Sequence, residues 1–150
     1  MILEGEHDFK GPRKAVWDMF LDPEVLSSAL PGQSKFTKTS ETEYEGFINI
    51  RIGPVSGNFS GKMLLSEVNE PESCTLTVQG NGIAGFAKGV GKVQFTEQSA
   101  GTTHLKYTGE LNIGGTLASV GQRMLDSVSK NMIRQGFESL DKVLETRLQK

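Results

Sequence analysis

One hundred and fifty residues suit a single domain with one sizeable core, and a formal net charge of -2 with a pI near 5.7 gives no electrostatic reason to expect a nucleic-acid partner. Cys74 is the only cysteine, which excludes an internal disulfide and a cysteine-based zinc site. Met1-Ile2-Leu3 is followed at once by Glu4, Glu6 and Asp8, and no apolar run nears the length of a membrane span, so a cytoplasmic protein is expected, with any membrane contact peripheral.

Ile2 to Phe9 alternates Leu3, Gly5, His7 and Phe9 against Glu4, Glu6 and Asp8, the pattern of a half-buried strand. Pro12 opens a short helix over Arg13 to Leu21, where Val16, Trp17 and Phe20 recur at helical spacing until Asp22-Pro23 stops it. Glu24 to Leu30 reads as a second short helix, ended by Pro31-Gly32. From there to Ile113 the period is two. Lys35 to Thr39 and Tyr44 to Ile52 read as strands, with the turn between the second and the next at Gly53-Pro54. Val55 to Val68 alternates at first, but Leu64 and Val68 fall on the other face, which calls for a bulge or a partner on both sides. Asn69 to Glu72 makes a turn, Cys74, Leu76 and Val78 alternate in a further strand, and Gly80-Asn81-Gly82 is expected to turn the chain. Phe86 to Thr96 is the next strand, Gln98 to Thr102 a loop, and Thr103, Leu105, Tyr107, Gly109, Leu111 and Ile113 the inner face of the last.

Thr116 to Gln149 then reads as one amphipathic helix, entered at Gly114-Gly115 with Thr116 as N-cap. It holds no proline, and only Gly121 and Gly136 lower its propensity. At 1.5 Å per residue it would run roughly 50 Å, longer than a small domain is wide, so it must lie across something. Its apolar stripe and the one apolar face of the meander before it must cover each other. The predicted architecture is therefore a single α+β domain over residues 1–150: one strand, two short helices, five or six antiparallel strands in a strongly curved sheet, and a long C-terminal helix that the sheet grips.

A sheet bent around a helix need not be filled. Gly46, Gly57, Gly61, Ala87, Gly89, Gly91 and Gly109 all fall in inward series. Such residues either let strands kink and the helix approach closely, or leave room for a ligand. In the second case the walls would be Trp17, Phe20, Leu30, Ile48, Ile50, Phe59, Met63, Leu76, Val93, Tyr107, Leu111, Met124, Val128 and Met132, and the polar handles few: Tyr44, Tyr107, His7 and Glu67. A site of that composition takes a lipophilic molecule and orients one polar end.

Other motifs carry less. Gly80 to Gly85 spells GxGxxG, but a period-two run rather than a helix follows, so a hairpin is expected instead of a dinucleotide cradle. His7 and His104, the only histidines, lack acidic or cysteine neighbours at ligand spacing, so no metal is expected. No GxSxG and no nucleophile with an adjacent base is found, so no catalytic residue is assigned. The polar face of the long helix mixes both charges, unlike a basic membrane-surface helix.

Val16-Trp17, Asp22-Pro23, Leu30-Pro31-Gly32, Tyr44, Ile52-Gly53-Pro54-Val55, Phe59-Ser60-Gly61, the glycine-rich strand Gly80 to Gly91, and Gly114-Gly115-Thr116-Leu117-Ala118 with Gly121 together resemble the G-subunit family of carbon monoxide dehydrogenase. The resemblance covers nearly the whole chain in order. It implies a START-like (SRPBCC) helix-grip domain, a curved antiparallel sheet of about seven strands and two small helices around the long C-terminal helix with a hydrophobic cavity, and a non-catalytic accessory role, without a cofactor of its own. The implied partners are the subunits of carbon monoxide dehydrogenase or a related molybdenum hydroxylase, linked through the protein to the membrane and its quinone pool; a quinone is the implied occupant. Longer members of that family carry a further C-terminal tail thought to engage the membrane, whereas this sequence ends at Lys150. A cyclase or aromatase-type enzyme and a lipid carrier are the alternatives on the same fold.

Overall fold

A computed structural model describes residues 1–29, 33–52, 54–99 and 101–149, with only the backbone described at Gln33 and Ile50. Leu30, Pro31 and the Gly53 half of the Gly53-Pro54 turn lie outside the described residues. The elements are β1 (Ile2–Phe9), α1 (Arg13–Phe20), α2 (Pro23–Ala29), β2 (Gln33–Ser40), β3 (Glu43–Ile52), β4 (Val55–Asn69), β5 (Ser73–Gly82), β6 (Gly85–Ser99), β7 (Thr102–Gly114), a short 3-10 helix (Gly115–Val120) and α3 (Gln122–Leu148). Seven strands form one sheet in the order β1-β7-β6-β5-β4-β3-β2, every pair antiparallel. The α1-α2 insertion is what sends β2 to the far edge from β1, while hairpins carry the chain back strand by strand. This is the START-like helix-grip arrangement.

Alternation sets the faces. Leu3, Gly5, His7 and Phe9 of β1 look toward α3, and the register carries that face across the sheet: Gly5 opposite Tyr107, Tyr107 opposite Val93, Val93 opposite Cys74. The expected bulge in β4 is present. Register shifts between Ser66 and Asn69 and Glu67 takes a φ of 48°; Leu64 is left exposed on the outer face, while the extra residue turns Val68, 47% exposed, to the side of Tyr44 and Leu65.

Three expectations are corrected. β5 does not turn at Gly80-Asn81-Gly82 but runs through to Gly82, which pairs with Gly85 around a two-residue turn at Ile83-Ala84. Gly85 there holds a φ of 136°, and an added Cβ would collide with the carbonyl oxygen of Gly114. Residues 98, 99 and 102 are strand rather than loop, because Ser99 still pairs with Thr102 and the reversal is made at Gly101, φ 86°. The terminal helix is not continuous from Thr116. A 3-10 helix ends at Gly121, whose φ of 95° and ψ of 152° no helix accommodates, and α3 starts afterwards; Thr116 makes no side-chain cap. Its 27 residues span about 40 Å rather than 50.

α3 is held at its far end by α1 and α2. Asp22 accepts a hydrogen bond from the Glu24 N–H at 2.9 Å, capping α2, and pairs with Arg147 in the last turn of α3. On the convex face, His104 of β7 lies between two carboxylates of β1, with Nδ1 2.6 Å from Asp8 and Nε2 3.0 Å from Glu6. Sequence spacing misses both, because the strands are about 100 residues apart in the chain but adjacent in the sheet. Hydrogen bonds to Asp8 and then to Glu6 raise the His104 pKa above its ordinary 6.5.

A folded pKa above the unfolded one means that the stabilisation is complete below pH 6.5 and is lost as pH rises through the raised value. The melting temperature of the wild type relative to His104→Gln should therefore fall as pH is taken from about 5.5 to about 8. A difference that stays constant over that range would show that the pairing is not formed.

Candidate ligand-binding site

The buried apolar side chains form two separate clusters. One joins Phe9, Val16, Trp17, Met19, Val25, Cys74, Val93, Phe95 and Leu105 to Leu140 and Leu144 of α3, with Phe20, Leu76, Tyr107 and Phe137 packed against it. The other joins Ile52 and Phe59 to Leu117 of the 3-10 helix, with Ile48, Val55, Ala84, Ile113, Val120 and Val128 around it. In α3 only Leu125, Leu140 and Leu144 are fully buried, and Met132 and Ile133 between them are half-buried. The closest backbone neighbours of α3 are α1, α2 and the 3-10 helix.

Between the clusters the inward rows of the sheet consist of small or half-buried residues. One row runs Leu76, Gly91, Gly109, Leu3; the next Met63, Val78, Gly89, Leu111; the next Gly46, Gly61, Gly80, Ala87, Ile113. Val78, inward-facing and apolar, is 37% exposed. The glycines of these rows divide by what a side chain would meet. A Cβ on Gly61 would lie 2.6 Å from the Gln79 carbonyl oxygen and one on Gly109 3.1 Å from that of Val90, and at Gly46 it would collide with the Lys35 carbonyl. Those three are required by the bend. At Gly91 the nearest atom would be 3.5 Å away, at Gly57 3.6 Å and at Gly80 4.0 Å, which is ordinary van der Waals contact. No backbone approach requires glycine there.

The polar handles differ in what engages them. Tyr44 is fully buried and donates to the Leu21 carbonyl at 2.6 Å, so it ties β3 to the end of α1. Glu67, on the exposed bulge, accepts from Thr75 at 3.0 Å. Trp17 donates through Nε1 to Glu70 at 2.9 Å and packs edge-on against Phe95. His7 faces α3, with Nε2 2.9 and 3.1 Å from the two Asp141 oxygens and its ring stacked on Phe137 at 4.6 Å. Tyr107 is half-buried, its phenol has no hydrogen-bond partner among the described residues, and burial raises its pKa. Its ring lies over Gly5, where a Cβ would collide with the phenol oxygen, and its centroid is 5.7 Å from that of Phe137.

The sequence-predicted wall is thus distributed. Trp17 and Val93 are sealed in the first cluster with Phe20 beside them; Phe59 is sealed in the second with Ile48 and Val128 against it. Met63, Leu76, Tyr107, Leu111 and Met132 are half-buried, Leu76 and Tyr107 along the border of the first cluster and the others in the span between the two; Met124 is 39% exposed at the start of α3. Leu30 lies outside the described residues, and Ile50 has only its backbone described, opposite Gly57. Phe137 and Asp141 join the site without being among the sequence-predicted wall or handles; the only sequence signal for Asp141 is an acid at the edge of the apolar stripe. Cys74 is sealed in the first cluster, and burial pushes its thiol up to about 11. The described residues hold no group of three His, Cys, Asp or Glu placed to bind a metal ion.

Two grooves open on the outside instead. One of about 440 Å³ lies on the convex face along Gly46, Ser60, Gly61, Gln79 and Asn81, rimmed by Glu45 and Lys62, themselves paired at 3.4 Å. The other, about 480 Å³, lies beside the α1-α2 corner along Leu21, Tyr44, Leu65 and Val68, with Lys38 and Glu41 paired at 3.8 Å on its rim. Both are polar-rimmed and open to solvent.

The sequence pattern of the carbon monoxide dehydrogenase G subunit (CoxG) matches residues 5–145. The chain belongs to the CoxG family. A conserved protein from Geobacillus kaustophilus, known as a crystal structure, is similar to this CoxG member with a TM-score of 0.91 and 29% identity, over 97% of this chain and 96% of that one. The Zhui aromatase/cyclase from Streptomyces sp. R1128 shares the fold at a TM-score of 0.74 and 11% identity, over 99% and 95% of the two chains. A START superfamily protein from Mycobacterium smegmatis does so at 0.71 and 11%, over 97% of each. No curated protein sequence matches. Among the described residues of this CoxG member, no helix is long and apolar enough to cross a membrane.

If the glycines of the inward rows play the two parts that their surroundings indicate, alanine separates them. Gly61→Ala should cost about 1 to 3 kcal/mol through overpacking, whereas Gly91→Ala should leave stability unchanged or raise it by about 0.4 to 1 kcal/mol through the unfolded chain. Urea unfolding of the two variants decides it, and equal losses would reject the distinction.

Proposed function

We propose that this protein is a non-catalytic accessory component that holds a lipophilic ligand, a quinone or a similar molecule, between the sheet and α3, on behalf of carbon monoxide dehydrogenase or a related molybdenum hydroxylase. The observation that carries the reading is the pair of packed clusters with rows of small and half-buried apolar residues between them, including an exposed inward Val78 and glycines that no close approach requires. Apolar surface that stays accessible costs about 25 cal/mol per Å² relative to burial, and an apolar guest recovers that. Met63 and Met132, unbranched and polarizable, suit a wall that adapts to a guest. The family name supports the partner, since it places CoxG proteins among the subunits of carbon monoxide dehydrogenase. The link to the membrane follows from the ligand: a molecule that partitions into lipid must be collected from or returned to a bilayer.

The ligand's polar end falls to Tyr107, the one handle without a protein partner among the described residues. Phe in its place would weaken or retune binding without abolishing it, whereas in an enzyme of the cyclase type the same change would remove turnover.

Native mass spectrometry and organic extraction of the purified protein should release a lipophilic molecule. Gly91→Leu, which projects a large side chain into the span, should fold with a melting temperature near that of the wild type and come away empty. A wild-type protein that is itself empty and ignores added quinones would sink the proposal, as would a Gly91→Leu variant that binds as well as the wild type.

A further inference from the structure

We infer that His7, oriented by Asp141, and Tyr107 form the polar end of the interior site and present one hydrogen-bond acceptor and one donor to a hydroxylated aromatic ligand. The inference rests on the lipophilic-ligand reading above and narrows it to a preference for the reduced, hydroxyl-bearing form: a hydroquinone or naphthol is held more tightly than the corresponding quinone or ether.

The argument begins with a proton. His7 Nε2 lies within hydrogen-bond distance of both Asp141 oxygens, at 2.9 and 3.1 Å. A carboxylate only accepts, so Nε2 must carry the hydrogen, and in the neutral imidazole Nδ1 is left with its lone pair. No described residue bonds to Nδ1. The ring cannot swing to hide it, because Phe137 stacks on one side at 4.6 Å with an interplanar angle of 8° and Phe9 meets it edge-on at 4.6 Å.

Tyr107 supplies the other half. It pairs with Gly5, one same-face step along β1 from His7, and its ring leans over that glycine against Phe137. The phenol, protonated at neutral pH by its ordinary pKa of 10.0 and pushed further up by burial, is a donor without a partner among the described residues. A lone acceptor and a lone donor therefore lie on neighbouring inward positions of the β1-β7 pair, both beside Phe137, where the first packed cluster gives way to the Gly91-Gly109 row. Neither atom is sealed from solvent, and a guest whose apolar body covers them must replace their hydration; one carrying both a hydroxyl hydrogen and an oxygen acceptor satisfies the two together. A quinone or an ether brings acceptors alone and leaves Nδ1 without a donor. Asp141 acts through His7 and is a positioning residue: it selects the tautomer.

The test uses the purified protein emptied of any bound molecule, with naphthalene, 2-naphthol and 2-methoxynaphthalene as probes in calorimetry. Wild type should bind 2-naphthol about tenfold more tightly than its methyl ether, the value of one net hydrogen bond. H7F keeps a stacked ring and should lose that preference while binding naphthalene as before. D141N frees the tautomer, since an amide can donate to Nε2. It should also erase the preference, and the ring nitrogen resonances of His7 should change from the Nε2-protonated pattern to a mixture. Equal wild-type affinity for naphthol and ether, or a preference that survives in both H7F and D141N, would overturn the assignment while leaving the lipophilic site standing. Failure of all three probes to bind wild type would overturn that site and this assignment with it.

Discussion

Gly121 is the residue on which the arrangement turns. Its φ of 95° and ψ of 152° split what would otherwise be one rod into a 3-10 helix and α3. Because of that break, Leu117 can fold onto Ile52 and Phe59 at one end of the sheet while α3 leaves in another direction to bury Leu140 and Leu144 at the other. The 3-10 helix is fixed in place by the Leu117 N–H, which donates to the Ala84 carbonyl at 2.7 Å, and by Gly85 and Gly115, both at positive φ and in close backbone approach. An L-residue at Gly121 would be strained in that conformation whatever space surrounded it. A helix supported at its two ends bridges the middle of the sheet.

That geometry gives the glycines different physical meanings. Where the sheet curls most tightly, the carbonyl of a neighbouring strand occupies the place of a Cβ, as at Gly46 and Gly61, and no other residue fits. Under the bridge, at Gly91 and Gly80, the backbone makes no such demand. There a larger side chain would meet no backbone obstacle, which is what the proposed ligand site asks of these positions. The aromatic border of that region, Tyr107, Phe137 and His7, is also where the polar groups converge, which is the composition expected of a site that binds an apolar body and reads one end of it.

Family and fold then constrain each other. CoxG membership over residues 5–145 supplies the accessory context, while the same fold in an aromatase/cyclase shows that the scaffold by itself does not choose between holding a molecule and transforming it. In this chain Tyr44 is consumed by the Leu21 carbonyl and Trp17 by Glu70, so two of the groups that sequence offers as pocket residues serve the frame.

Seven strands, two short helices and a terminal amphipathic helix are legible in the chain alone, because period-two and period-3.6 alternation and the Pro12, Asp22-Pro23 and Asn69-Glu72 punctuation are local properties. The same reading puts the β5-β6 turn two residues early and overlooks the break at Gly121, since a glycine's spelling does not say whether its freedom of φ is used. Which inward residues are sealed and which stay half-open, and that His7 meets Asp141 across 134 residues of chain, emerge with three-dimensional packing. Those facts depend on sheet curvature and on the path of α3, which arise when distant elements come together and leave no mark in any short window of sequence.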